Sequence, residues 1–179
     1  MNRREFLTDT ACAGCLGLLG GCAAFRDALS YRFGGNLHRD FHASTLDGYN
    51  YIKDTFGMEG VREVLGNFAR GVQRSMHEKL KRGDASELLE HWRYYMDREG
   101  GEECYALSGT ADGGAVLEVR ACPARAYLKN RDVAGGEGLC ELTRIFNEEL
   151  TAGTPFRLET VVTEDGTCRQ ILSRKGGVA

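Results

Sequence analysis

Seven cysteines in 179 residues are the side chains best able to carry chemistry in this chain, and four of them, Cys104, Cys122, Cys140 and Cys168, fall in its second half. Cys122 directly precedes Pro123. Proline favours the first position of a helix, so Cys122 is expected to cap one, with its sulfur facing unpaired backbone amides. Cys140 falls in the first turn of a second expected helix, turned about 160° from Leu142 and so away from the stripe Leu139, Leu142, Phe146 and Leu150. A thiolate at a helix N-terminus is favoured by the amides and the helix dipole, which makes such a cysteine a candidate nucleophile. Four readings stand open for these residues: a catalytic thiol, a disulfide, inert burial and metal ligation. Their spacings of 18, 18 and 28 residues lack the short CxxC step of common zinc sites. No cofactor is expected, and a metal held by Cys122, Cys140 and Cys168 has no motif behind it.

Other chemistries lose their usual support. His77-Glu78 resembles the start of a zinc-protease HExxH, but Lys81 occupies the second ligand position. His77 and His91 lie beside their apolar stripes and read as partly exposed helix residues, while His38 and His42 precede the first expected helix. No Walker loop, GxGxxG before a helix, CxxCH or GxSxG occurs in the sequence. A net charge of −3 argues against a nucleic-acid partner, which would need a basic surplus to neutralise phosphates.

The elements that must position the cysteines follow from period and punctuation. Ser44 or Thr45 caps a helix through about Phe56, closed by Gly57. Val61, Val64, Leu65, Phe68, Val72, Met76 and Leu80 recur at three- and four-residue steps, predicting one helix that stops at Gly83. Asp84 and Glu87 form a capping-box pattern for a third helix with the stripe Leu88, Leu89, Trp92, Tyr95 and Met96. Two apolar runs then flank Ala111-Asp112-Gly113-Gly114, a hairpin signal. A three-residue loop centred on Gly113 would set Cys104 opposite Cys122, the geometry of a disulfide. Pro123 opens a short helix, Glu137 to Leu150 a longer one, and Phe156 to Val162 with Thr167 to Leu172 flank the turn Glu164-Asp165-Gly166. The fold class is therefore α+β: a helical N-terminal half packed on an antiparallel sheet of two hairpins separated by two helices.

The start of the chain reads as an address. Arg3-Arg4, followed by Phe6 and Leu7 and a weakly apolar stretch from Ala11 to Gly21, resembles a twin-arginine export signal. Eleven residues rich in glycine are too short to cross a hydrocarbon core of roughly 30 Å. Leu18-Leu19-Gly20-Gly21-Cys22 resembles a lipoprotein signal, in which Cys22 becomes the lipidated first residue of the mature protein; cleavage near Ala24 is the competing reading. Residues 1–21 are then a signal peptide, 22–43 a tether and lead-in, 44–174 a single α+β domain and 175–179 a tail. The expected partners are the twin-arginine translocase during export, a membrane surface reached through the lipid, and a small-molecule ligand or substrate; the expected location is the periplasmic side of a membrane. Arg3→Lys with Arg4→Lys should leave the precursor in the cytoplasm, and Cys22→Ser should abolish lipid labelling. Unchanged export of the double variant, or a free protein cleaved after Ala24, would overturn these two expectations.

The run Val119-Arg120-Ala121-Cys122-Pro123, then Leu128-Lys129, Cys140 in the next helix and Gly166-Thr167-Cys168 in a closing strand resembles the L-2-amino-thiazoline-4-carboxylic acid hydrolase-like family. The resemblance covers about residues 58–172 and is specific from Glu118 to Leu172. It implies hydrolysis of a 2-amino-thiazoline ring at the carbon between nitrogen and sulfur, giving an N-carbamoyl cysteine. On that reading Cys122 is the nucleophile, Cys140 and Cys168 assist as an acid, a resolving thiol or co-ligands of a metal, and Arg120 or Arg125 holds the substrate carboxylate. An export signal departs from the cytoplasmic setting of cysteine salvage. The alternative is a membrane-tethered module that binds a ligand, or senses redox state, without turnover.

Overall fold

The computed structural model describes residues 36–130, 132–163 and 167–176. Nearly all of them belong to one compact unit, Arg39–Ala179. The signal-region residues Arg3, Arg4, Phe6, Leu7 and Cys22 and the turn 164–166 lie outside the described residues.

The first helix, α1, spans Asn36–Gly71. It starts eight residues ahead of the cap expected at Ser44, so His38 and His42 stand inside it rather than before it. A long-range contact accompanies the earlier start: His42 Nε2 lies 3.2 Å from Glu99 Oε2, far along the chain. The break expected at Gly57 is present as a kink, with φ 69° and ψ −172°, a conformation that glycine adopts without a Cβ clash.

The single stripe expected from Val61 to Leu80 is not one helix. The helix ends at Gly71 and restarts as α2, Arg74–Lys81, so the axis and phase change across Val72. Val61, Ala69, Met76 and Leu80 are buried, whereas Val64, Phe68 and Val72 are 46%, 42% and 71% exposed. The same change of axis buries His77, expected to be partly exposed; its Nδ1–H donates to the Leu150 carbonyl at 2.8 Å. In α3, Ser86–Glu99, Leu88 and Trp92 are buried as the stripe predicts. Asp84 accepts the Ser86 N–H at 2.9 Å, but no capping box forms, because Glu87 turns instead to Ser75 and Lys79 of α2.

A short 3-10 turn, Glu102–Cys104, leads into β1, Tyr105–Gly109, and β2, Ala115–Val119. Two helices follow, α4, Pro123–Asn130, and α5, Gly136–Leu150, and then β3, Phe156–Val162, and β4, Cys168–Arg174. The two hairpins join into one antiparallel sheet in the order β1-β2-β4-β3. The fold is α+β, as the sequence predicts. Ala115, Leu117, Val119, Leu158 and Leu172 point to the buried face, while Glu118, Arg157, Glu159 and Arg169 are exposed, the alternation of a sheet covered on one side. The core has two parts. One joins that sheet face to α2, α3 and the end of α5; the other packs α1 against α4 and α5 through Leu46, Tyr49, Val61, Leu128, Leu139 and Ile145.

Candidate functional site

Two helices begin at one groove. β2 ends at Val119, and the chain turns through Arg120 and Ala121 to Cys122, whose carbonyl accepts the Ala126 N–H at 3.0 Å. That bond is the first of a helix whose cap residue is Cys122, the position read from Pro123. α5 starts just beyond the loop Val133-Ala134-Gly135, in which Gly135 is left-handed with φ 85°. The first turn of α5 rests on α1: a Cβ on Gly138 would meet Leu46 Cδ1 at 2.7 Å and the Tyr49 ring at 3.4 Å. Glycine there lets α5 begin close against α1. Between the two helix starts lies a groove of about 600 Å³ walled by Arg120, Cys122, Arg125, Lys129, Gly135 and Glu137 among others.

The groove is cationic. Arg120, Arg125 and Lys129 face a single lining carboxylate, Glu137, which is 80% exposed and sits 3.9 Å from Arg125 Nη2. Sequence reasoning placed both arginines here but overlooked Lys129 as a groove cation and Glu137 as a candidate base. The signal for both was available: Lys129 follows Cys122 by two helical turns, and Glu137 opens the next helix.

Of the three candidate cysteines Cys122 lines this groove, and Cys140 and Cys168 lie within electrostatic reach of it. Cys122 and Arg125 influence the thiols of both Cys140 and Cys168, the first raising them and the second lowering them. Cys168 opens β4 with its Cα opposite Val119, the last residue of the strand that leads to Cys122. Cys122 and Cys168 also pack against the same apolar cluster. Cys104 is turned elsewhere: its Sγ–H donates to the Gly100 carbonyl at 3.0 Å, while its backbone carbonyl accepts the Arg120 N–H at 2.8 Å and the Ala121 N–H at 3.3 Å. The disulfide register is therefore corrected. β1 and β2 pair Tyr105 with Val119 and Gly109 with Ala115, two residues out of step with the expected alignment, and all four cysteines are free thiols.

Electrostatics also revises the role of Cys140. A helix start was expected to favour its thiolate, but burial and then the neighbouring Cys122 push the Cys140 thiol up, against a smaller opposing influence of Arg125. Burial, with the charges of Cys122 and Cys140 behind it, pushes Cys168 up to about 11. Desolvation of a half-buried thiolate outweighs the amide dipoles here. Both thiols are therefore protonated at neutral pH and can donate a proton or a hydrogen bond, while Cys122 holds the cap position. Among the described residues no group of three His, Cys, Asp or Glu is arranged to hold a metal ion, and no helix is long and apolar enough to cross a membrane.

The fold and site thus define an α+β domain with a thiol at a helix cap in a cationic groove. No family model, no curated protein and no solved structure matches the chain.

Proposed function

We propose that this protein is an exported, hydrolase-like enzyme that opens a small cyclic C=N substrate bearing a carboxylate, of the 2-amino-thiazoline type, with Cys122 as nucleophile. The observation that carries the reading is the placement of Cys122 at a helix cap in the same groove as Arg120, Arg125 and Lys129. A guanidinium holds a carboxylate by two parallel hydrogen bonds, which fixes the ring beside the sulfur. The Cys122 thiolate adds to the carbon between nitrogen and sulfur. As the ring carbon–sulfur bond breaks, the ring sulfur leaves and takes a proton, for which the protonated Cys140 or Cys168 is the donor. Water then attacks the same carbon, releases Cys122 and leaves its oxygen as the carbonyl of an N-carbamoyl cysteine; Glu137 is the lining carboxylate able to accept the water's proton. The net change is the addition of one water.

Export through the twin-arginine route, a lipid on Cys22 and a place on the periplasmic side of a membrane belong to this proposal, supported by the residues of the signal region. The test is to incubate the protein with 2-amino-thiazoline-4-carboxylate and count new thiol. Turnover is expected, and Cys122→Ala should lower it by at least about a hundredfold, as loss of a nucleophile does. No turnover by the unaltered protein, despite saturable binding of the carboxylate, would replace the enzyme with the ligand-binding module. Undiminished turnover in the variant would remove Cys122 from the chemistry.

A further inference from the structure

β3 is an edge strand: in the order β1-β2-β4-β3 its one described neighbour is β4. Two hydrogen bonds decide which of its backbone groups face the other way. The Lys175 N–H donates to the Pro155 carbonyl at 2.8 Å, and the Thr163 N–H to the Thr167 carbonyl at 2.9 Å. Both continue the β3–β4 register, in which Leu158 stands opposite Leu172 and Thr160 opposite Gln170. Bonded and non-bonded pairs alternate in an antiparallel ladder, so Arg157, Glu159 and Val161 bond to β4, while the N–H and C=O of Phe156, Leu158, Thr160 and Val162 point away from it. The Thr154 hydroxyl accepts the Phe156 N–H at 3.1 Å and closes that end. The outward groups of Leu158, Thr160 and Val162 remain, and no described residue bonds them. Leu158 and Thr160 open on a groove of about 370 Å³ whose far wall is α5, and Val161 and Val162, each 40% exposed, continue the edge.

We infer that this edge pairs with the same edge of a second copy of the chain, joining two four-stranded sheets antiparallel into one. The occupant follows from the symmetry of the open groups. Leu158 and Val162 flank Thr160 evenly, so a two-fold axis at Thr160 sets Leu158 against the partner's Val162, Thr160 against the partner's Thr160, and Val162 against the partner's Leu158. Each such pair exchanges two hydrogen bonds, which leaves no open N–H or C=O along this stretch.

Charge fits the same occupant. Glu159 falls opposite the partner's Val161 and Arg157 opposite the partner's Thr163, so no like charges stand directly across from each other. The groove carries both signs, with Arg144 2.7 Å from Glu148 and Arg157 3.4 Å from Glu159, so a copy of the same surface meets no single-sign barrier. The exposed valines gain cover in the same step. Edges that stay single are commonly blunted by lysine, proline or a bulge, and residues 158–162 have none of these.

The experiment is analytical ultracentrifugation of the reduced full chain over a concentration series, with Val162→Pro beside it. Proline at this position removes an outward donor and leaves the bonds to β4 in place, because the Val162 N–H is not among them. A species of twice the chain mass should grow with concentration. Val162→Pro should raise the concentration at which half the chains are paired by at least about tenfold, since two hydrogen bonds are lost across the pair. Thr160→Cys supplies a second readout should the proline variant fail to fold. The two α-carbons would lie about 5.5 Å apart across the axis, within disulfide reach, so oxidation should link the introduced thiols to each other, as peptide mapping by mass spectrometry reads. A single-chain mass up to millimolar concentration, a dimer that Val162→Pro does not weaken, or a dimer in which the introduced thiols stay unlinked would overturn the pairing. No thiazoline takes part in these measurements, so their outcome is independent of the hydrolase reading.

Discussion

Replacing Gly114 by alanine should unfold the sheet that brings Cys122 and Cys168 together. Gly114 is buried at the entry to β2, and a Cβ there would stand 2.2 Å from the Leu172 carbonyl oxygen, 2.7 Å from Thr110 Oγ1 and 3.2 Å from the Leu172 carbonyl carbon. The obstacle is backbone. Leu172 is paired with Ala115 across the β2–β4 junction, and both are fully buried, so the carbonyl has no room to retreat. Adding a methyl group to a packed core commonly costs about 1–3 kcal/mol, and an immovable carbonyl puts this case at or above the top of that range. A domain has only about 5–15 kcal/mol of stability to lose. Gly113→Ala is the control. Its φ of 79° makes alanine strained, but its Cβ would meet only the Arg174 side chain, at 3.6 Å and beyond, so a loss of about 1 kcal/mol is expected. Urea unfolding of the three proteins checks the contrast; a Gly114→Ala midpoint no lower than that of Gly113→Ala would mean that β2 and β4 part more easily than their pairing implies.

The same hairpin marks where sequence reading stops. Gly113 was legible as the left-handed residue of the turn, but the loop is five residues long rather than three. The cause is local and polar: Asp112 accepts the Gly114 N–H at 3.3 Å and the Thr110 hydroxyl, which builds the loop around Asp112 and shifts every cross-strand pair. Cys122 as a helix cap was legible because proline fixes its neighbour's place. The placement of Cys168 opposite the end of the strand that leads to Cys122 was legible only as a consequence of topology, since the two hairpins had to join in one sheet. What no pattern in the sequence announced was burial. The long apolar stripe gave no sign that Val72 and Gln73 would break the helix, and helical angle alone could not tell that Cys140, turned from Leu142, would still be half-buried.

Burial governs the last prediction, the reactivity of Cys168. Its thiol is pushed from an ordinary value of 9.0 to about 11, so at a pH well below both values its thiolate is scarcer than that of a reference thiol by two powers of ten. Alkylation by iodoacetamide at pH 8 should therefore run roughly a hundredfold slower than for a denatured peptide containing the same cysteine. The rate should keep rising up to pH 11 instead of levelling off near 9. Stability carries the same signature with a definite sign. In the window between these values the folded protein keeps a proton that the unfolded chain has given up, so the folded state binds more protons and its stability falls as pH rises. The contribution is fully present below about 9 and is lost as pH passes through about 11. Cys168→Ala should flatten that part of the stability–pH curve, and Cys140→Ala should act in the same direction, since burial raises that thiol too. Rapid labelling of Cys168 at pH 8 in the folded protein, or an unchanged alkaline slope in Cys168→Ala, would show that water reaches this sulfur freely.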